Sequence, residues 1–315
     1  MEYLMAAAVV LDLVIGDPRI LPHPVVYMGK AIRWQEKLIR RYARTQTALR
    51  IAGIFLWLSI VGGTYLFFGA IIWLAYKFNP YLAVFISVFL MSQALAVNSL
   101  YKHAAAVVKP LKQGDIVSAG QALSMIVGRD TEQLNEKDIL RAVVETVAEN
   151  TVDGITAPMF YGFIGGPPLA LAYKAVNTLD SMVGYKDENY IDLGWASARL
   201  DDLANYIPAR ITGLLYLLIA PITPGGFRNV FKTIQNDARR HPSPNSGIPE
   251  AAVAGALTVQ LGGVNYYAGI ESNRPLIGES QKSIEISDVN WSLLLMFMVS
   301  LAMLLLGSVI SVLLK

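Results

Sequence analysis

The chain has 315 residues, 54% of them hydrophobic and 16% charged, with a net charge of +2 and a mean hydropathy of +0.44. Soluble domains carry about 25% charged residues; the deficit here lies in long apolar runs, which excludes an ordinary soluble chain, and the balanced charge gives no reason to bind nucleic acid. With no cysteine, disulfides, thiolate zinc and iron–sulfur clusters are excluded, and with only His23, His103 and His241, any metal is expected to be a hard cation on Asp, Glu and Asn oxygens.

Met1 to Ile15 is apolar but carries Asp12, and no Lys or Arg precedes Arg19. It therefore lacks the positive region of a signal peptide and is expected to stay in the mature protein. The run Leu11-Asp12-Leu13-Val14-Ile15-Gly16-Asp17-Pro18 leads into His23-Pro24-Val25. Asp12, Asp17 and His23 at a helix exit either line a polar cavity or cap the helix. From Asp17 to Arg50 there are eight Lys or Arg against two acids, so this segment is expected in the cytoplasm.

A bilayer crossing takes about 20 apolar residues. Ile51 to Tyr76 and Phe78 to Tyr101 meet this, joined by Lys77-Phe78-Asn79-Pro80 as a helical hairpin. Val289 to Leu314 is a third such run. Trp73 and Trp291 suit the interfacial belt.

Lys102 to Asp153 is the most polar stretch and reads as a cytoplasmic helical cap within a single membrane-embedded domain spanning 1–315. Inside it, Leu140, Val143, Val144 and Val147 mark one helix face; Arg141, Glu145 and Glu149 mark the opposite face. That second face has the pattern of a solvated i, i+4 ladder. It opens through Glu149-Asn150-Thr151-Val152-Asp153 onto a broken apolar run, which sets carboxylates at a cavity mouth.

Gly154 to Tyr173 holds seven Gly and Pro residues in an uncharged stretch. Ile211 to Phe227 is short and ends in Pro221, Pro224, Gly225 and Gly226. Ala251 to Ile270 is interrupted by Gln260, Gly262, Gly263 and Asn265. Such interruptions break helices, and broken backbone at membrane depth survives only beside protein or a wet cavity. All three are expected to be half-helices, re-entrant turns or inner helices around a cavity, the first two re-entrant or interfacial. The fold class is thus all-α: a polytopic integral membrane protein with broken or re-entrant helices around a polar, cytoplasm-facing cavity.

Between and after these runs lie three more polar groups. Asn177 and Asp180 sit at i, i+3 in the apolar helix Leu169 to Val183, where an ionisable residue is a functional candidate by default. In Arg199-Leu200-Asp201-Asp202-Leu203-Ala204-Asn205, Asp201 and Asn205 share a face, and the adjacent carboxylates suit Mg²⁺. Arg199 and Arg210 could pair with those acids or with phosphate. His241-Pro242-Ser243-Pro244-Asn245-Ser246-Gly247-Ile248-Pro249-Glu250 feeds a helix N-terminus, either an anion site or ordinary capping. No GxxxxGK[ST] and no GxGxxG occurs, so nucleotide use needs a site without a P-loop.

In order, the blocks LDLVIGDP, HPV, VGRDT, ETVAENTVDGITAP, NTLDSM, ARLDDLANYIPAR and HPSPNSGIPEAAVAGAL resemble the CobD/CbiB family, the adenosylcobinamide-phosphate synthases of cobalamin biosynthesis. The resemblance runs from Asp12 to about Gly263. It implies an ATP- and Mg²⁺-dependent ligase that joins adenosylcobyric acid, a corrinoid, to (R)-1-amino-2-propanol O-phosphate or a related amino-alcohol phosphate. On that reading the catalytic candidates are Glu145, Glu149, Asp153 and Asp180. The metal candidates are Glu149, Asp153, Asp180, Asp201 and Asp202. Substrate or phosphate would meet Asp12, Asp17, His23, Arg129, Asn150, Asn177, Arg199, Asn205, Arg210, His241, Ser243, Asn245 and Ser246. The expected partners are these small molecules and membrane lipid, and a homo-oligomer is compatible with the pattern. Two alternatives stand beside it, an intramembrane Mg²⁺-dependent prenyltransferase and a transporter with broken helices.

The basic segment gives a direct test of orientation. A lone cysteine at position 40 is clean in this cysteine-free chain. It should resist impermeant thiol reagents in intact cells and react once the membrane is opened; labelling from outside would reverse the orientation.

Overall fold

The computed structural model describes residues 2–16, 23–185, 187–267 and 269–314. The elements in the first half of the chain are α1 (Glu2–Ile15), α2 (Pro24–Tyr42), α3 (Gln46–Phe78), α4 (Pro80–Ser92), α5 (Val97–Leu111), α6 (Ile116–Ser124) and α7 (Glu136–Thr151). A single π-turn, Val152–Thr156, leads into α8 (Ala157–Val183) and α9 (Trp195–Ile219). Then come α10 (Gly226–Asp237), α11 (Gly247–Leu257), a hairpin of β1 (Leu261–Tyr267) and β2 (Ile270–Ile277), and α12 (Ile286–Leu313). Four helical stretches are long and apolar enough to cross a membrane: Gln46–Phe78, Pro80–Leu111, Trp195–Ile222 and Ile286–Leu313. The chain is a polytopic helical membrane protein. Apolar side chains such as Phe55, Leu66, Trp73, Leu301 and Leu305 are exposed on these helices, as expected where lipid is the solvent.

Local chemistry sets the helix ends. Thr45 caps α3 by accepting a hydrogen bond from the Ala48 amide at 3.2 Å. Asn79 ends α3 and caps α4, accepting from the Tyr81 amide at 2.8 Å, with Pro80 in the first turn. The tight connection read from Lys77 to Pro80 is therefore a shared cap.

One of the three interrupted runs departs from expectation, and a second does so in its latter half. Ile211 onward is no re-entrant turn: it completes the stretch Trp195–Ile222, one of the four long enough to span. Polar residues from Arg199 to Asn205 in its first half hid its length. The run from Ala251 is helical only to Leu257; Thr258 takes a left-handed backbone, and an antiparallel hairpin follows. The sequence reading placed no strand there. The third run is broken, inside α8: Gly165 and Gly166 leave helical geometry, and Gly166 adopts φ 68°, ψ −166°. That conformation needs a glycine, and Pro167 and Pro168 supply no N–H to restore the ladder.

The chain divides into two compact units. The first comprises Met1–Ala96, Asp153–Asn205 and Leu304–Lys315. In it α8 packs on α2, α3 and α4, and α1 packs on α4. Gly162 leaves its side-chain space to the Met5 and Met91 thioethers, and Gly307 leaves its space to the Phe163 ring. The second unit comprises Val97–Val152 and Tyr206–Met303, and so holds most of the stretch read as a helical cap. There α7 packs against α5, α6 and α11, with Ile139, Leu140, Val143, Val144 and Val147 all buried. Helix α11, almost wholly buried, also packs on α10.

One close approach yields a stability test. A Cβ at Gly53 would lie 2.1 Å from the Leu193 carbonyl oxygen, whereas one at Gly62 would meet nothing within 4 Å. Gly53→Ala should destabilise by about 1–3 kcal/mol through overpacking against rigid backbone. Gly62→Ala should be neutral or mildly stabilising, and thermal melts of the purified protein in detergent compare the two.

Candidate functional site

Each unit contains its own polar cluster. In the second unit the cluster is built on α7, whose Asn135 cap accepts from the Asp138 amide at 3.1 Å. The face carrying Arg141, Glu145 and Glu149 is not the solvated ladder expected, because β1 and the Arg129 segment cover it. Glu145 is 4% exposed. Its Oε2 accepts from Arg129 Nη2 at 2.6 Å and its Oε1 from the Gly262 amide at 2.8 Å. The other terminal nitrogen of Arg129 donates to Asn265 Oδ1. Arg141 lies 3.9 Å from Glu145 Oε1 and donates to Asp138 at 3.1 Å. Glu145 thus joins α7, β1 and the Arg129 segment.

One turn further, Glu149 is half-buried and accepts from the Ser246 hydroxyl at 3.2 Å. Asn150 donates to the Thr146 carbonyl at 3.0 Å. His241 Nε2 and Glu250 Oε1 face each other at 3.5 Å, both buried, beyond normal hydrogen-bond reach. His241 Nδ1 accepts from the Ser243 amide at 3.0 Å. Burial pushes the His241 pKa down, and burial together with the charges of Glu149 and Glu145 pushes Glu250 well above the usual carboxylate range.

The loop before α11 is largely tied into these contacts. Ser243 Oγ accepts from the Asn245 and Ser246 amides at 3.3 and 3.4 Å, and Asn245 Oδ1 accepts from Arg210 at 2.9 Å. Arg210 also lies 3.4 Å over the Tyr206 ring. Beside Glu149 is a cavity of about 130 Å³ lined by Gly128, Arg129, Glu145, Glu149, Tyr267 and Arg274, with Asn150 at its edge.

In the first unit the π-turn, α8 and α9 supply the polar groups. Asn177 donates to Asp153 Oδ2 at 3.3 Å, and Lys174 reaches the Asp153 carbonyl at 3.4 Å. A relay runs from the Tyr173 hydroxyl to Asn205 Oδ1 at 2.7 Å, and from Asn205 Nδ2 to Asp201 Oδ2 at 3.0 Å. The i, i+4 pairing of Asp201 with Asn205 is as the sequence spacing suggests. Asp201 is 9% exposed; although Asn177 lies near, no hydrogen bond of proper geometry reaches its buried Oδ1 among the described residues. Asp180 and Asp202 act on Asp201 electrostatically, and Asp153 and Asp201 both act on Tyr173. Gly184 has no side chain at the place where Asp180 Oδ1 sits, 2.0 Å from where a Cβ would be. Next to the relay, a cavity of about 290 Å³ is lined by Trp57, Tyr161, Leu169, Tyr173, Leu200 and Leu203.

Four of the five carboxylates in the expected metal set, Asp153, Asp180, Asp201 and Asp202, fall in this first cluster; Glu149 belongs to the other. Among the described residues no group of three or more His, Asp or Glu forms a metal cage. Mg²⁺ seldom uses one: it typically takes one or two carboxylates plus phosphate and water. The orphaned Asp201 Oδ1 and the neighbouring carboxylate and amide oxygens are the right donors for it. Of the remaining candidates, Arg199 is exposed with no hydrogen bond or ion pair among the described residues. Asp12 is buried in the last turn of α1, and His23 caps α2. Asp17 lies outside the described residues.

The sequence reading missed Arg274, Tyr267, Asn265, Tyr161 and Tyr173. Arg274 is the sole charged residue between Glu271 and Glu279. The signal that would have found it is the hairpin, with paired glycines at Gly262 and Gly263, β-forming Val264, Tyr266 and Tyr267, and then Gly269.

The chain matches the family model described as CobD/Cbib protein over residues 5–296. It is 51% identical to the cobalamin biosynthesis protein CobD of Clostridium perfringens, over 89% of this chain and 88% of that one. Identity to the cobalamin biosynthesis protein CobD of Geobacter metallireducens is 48%, over 98% and 96% of the two chains. The cobalamin biosynthesis protein CbiB of Salmonella typhimurium is 46% identical, over 92% of this chain and 91% of that protein. No solved structure matches the chain.

Arg129 and Glu145 are both nearly inaccessible, with side chains 6% exposed. Removing one partner of a buried pair leaves an uncompensated charge and costs about 3–5 kcal/mol. Glu145→Ala should therefore lose most of its thermal stability, while Glu136→Ala at the exposed start of α7 should melt like the parent.

Proposed function

The chain belongs to the CobD/CbiB family of cobalamin-biosynthesis proteins, and we propose that its reaction is an ATP- and Mg²⁺-dependent amide ligation. It functions in cobalamin biosynthesis. The proposed substrates are adenosylcobyric acid, through its free propionate carboxyl, and (R)-1-amino-2-propanol O-phosphate or a related amino-alcohol phosphate, through its amine. ATP activates the carboxyl as an acyl phosphate, the amine displaces phosphate, and ADP and phosphate leave with adenosylcobinamide phosphate. Family membership leaves the prenyltransferase and transporter alternatives without support.

The observation that carries the reading beyond family membership is the buried Asp201 oxygen that no hydrogen bond of proper geometry reaches among the described residues, set among Asp153, Asp180 and Asp202. A carboxylate oxygen so placed is costly unless a cation or proton meets it. Asp201 and Asp180 would hold Mg²⁺, with Asp153 and Asp202 alongside. When bound, Mg²⁺ neutralises charge that grows on phosphate oxygens during transfer. The protein's own part is orientation: Asn205 spends its amide N–H on Asp201 and its carbonyl on the Tyr173 hydroxyl, which fixes the unpaired Asp201 oxygen. Asn177 fixes Asp153 in the same way. Since ATP is cytosolic, we place the reaction at the cytoplasmic face of the cell membrane, the side assigned to the basic segment from Asp17 to Arg50.

Amide formation measured against Mg²⁺ concentration tests this. Asp180→Asn and Asp201→Asn should lower turnover by orders of magnitude and raise the Mg²⁺ needed for half-maximal rate, and Asp202→Asn should act in the same direction. Glu136→Gln should behave as the parent. Parental turnover and Mg²⁺ dependence in the Asp variants would leave these residues structural.

A further inference from the structure

The 130 Å³ cavity in the second unit carries two Arg and two Glu on its wall, only one pair of them in contact. Arg129 and Glu145 cancel within their 2.6 Å pair. Arg274 and Glu149 feel each other's charge but do not form an ion pair. Among the described residues Arg274 has no carboxylate within 4.0 Å, and its one hydrogen bond is to the Tyr267 hydroxyl at 3.1 Å. Glu149 has no cation within 4.0 Å and accepts from the Ser246 hydroxyl only. An Arg and a Glu with freedom to meet form a bidentate pair; here the hairpin holds one and α7 the other, so both keep unused bonding capacity toward the same space.

A ligand that carries both charges satisfies both groups at once. The anion end belongs on Arg274, whose planar fork of donors matches the oxygens of a phosphate. The cation end belongs on Glu149, and a primary ammonium offers the N–H donors its carboxylate lacks. Size narrows the class further. Water occupies about 30 Å³ in the liquid, and drug-sized ligands take pockets of about 300–1,000 Å³. The cavity therefore suits a molecule of a few heavy atoms.

We propose that this cavity binds a small phosphorylated primary amine, its phosphate on Arg274 and its ammonium on Glu149. The zwitterion follows from the geometry; the choice of phosphate over carboxylate, and its identity as the nucleophile of the ligation, rest on the proposed function above. Glu149 then acts as a binding residue for the amine, and Arg274 gains a role that its position in an exposed hairpin strand does not advertise.

Calorimetry on the full-length protein in nanodiscs, without ATP or corrinoid, tests the assignment. The probes are O-phosphoethanolamine and (R)-1-amino-2-propanol O-phosphate against glycerol 3-phosphate, 1-amino-2-propanol and inorganic phosphate. The two zwitterions should bind about tenfold or more tighter than any probe with one charge. Arg274→Gln should erase their advantage over 1-amino-2-propanol, and Glu149→Gln their advantage over glycerol 3-phosphate. Arg274→Lys, which keeps the charge without the fork, should retain part of it and serves if the Gln variant does not fold. Parental affinities in folded variants, or equal binding of single-charge probes, would overturn the proposal. Wild-type amide synthesis with unchanged KM in both variants would sink the subsite and spare the ligation. Tight zwitterion binding by a protein that forms no amide would sink the ligation and spare the subsite.

Discussion

Glu145 holds a carboxylate where water scarcely reaches, and the second unit is arranged to satisfy it. One oxygen takes the Arg129 guanidinium and the other the Gly262 amide, so a helix, a loop and a strand must all be in place together. A lone charge in such surroundings would cost several kcal/mol. With its partners present it specifies a single arrangement of the hairpin on α7. The cavity beside it exists because that hairpin cannot slide: a shift in register would strip the Gly262 amide from Glu145 and carry Asn265 away from Arg129.

The polar cluster of the first unit is oriented by other means. Two of its carboxylates, Asp153 and Asp201, take hydrogen bonds from side-chain amides. Asn177 serves Asp153, Asn205 serves Asp201, and Tyr173 serves Asn205. Neutral donors orient a carboxylate without neutralising it, which leaves its charge available to a cation. In the second unit's cluster Arg129 and Glu145 pair with each other, while Arg274 and Glu149 form no ion pair among the described residues. The two clusters are therefore suited to different ligands on chemical grounds alone.

Much of this was legible in the sequence, and the failures have identifiable causes. Short-range relations came through: the tight Lys77–Pro80 connection, the Asp201–Asn205 pairing at i, i+4, the start of α11 around Pro249, and the break at Gly165 and Gly166. Each is decided within one helical turn. The misread features depend on partners distant along the chain. The Arg141, Glu145 and Glu149 face has the spacing of a solvated ladder, and only a hairpin more than a hundred residues later turns Glu145 into a buried anchor. That hairpin was itself obscured, because apolar residues around Gly262 and Gly263 read as a broken helix until the strand pairing is seen. Arg274 was lost with it. The long Trp195–Ile222 stretch was cut short because its polar first half belongs to a buried cluster and not to a loop.

The division of the chain has a consequence for its synthesis. Neither compact unit is a continuous piece of polypeptide: the first uses three separate segments and the second two. The first unit includes Leu304–Lys315, where Gly307 receives the Phe163 ring and Ser311 bonds to Glu2 at 3.2 Å. Those contacts close only after nearly the whole chain has left the ribosome. Until then the Phe163 ring lacks the space it fills at Gly307 and Glu2 lacks its bond from Ser311, so the nascent first unit is incomplete. Chains that fold through such long-range closures are slow and prone to mispairing on the way. A halt in translation within α12 would thus leave an inserted but unfinished first unit, a natural substrate for membrane proteases.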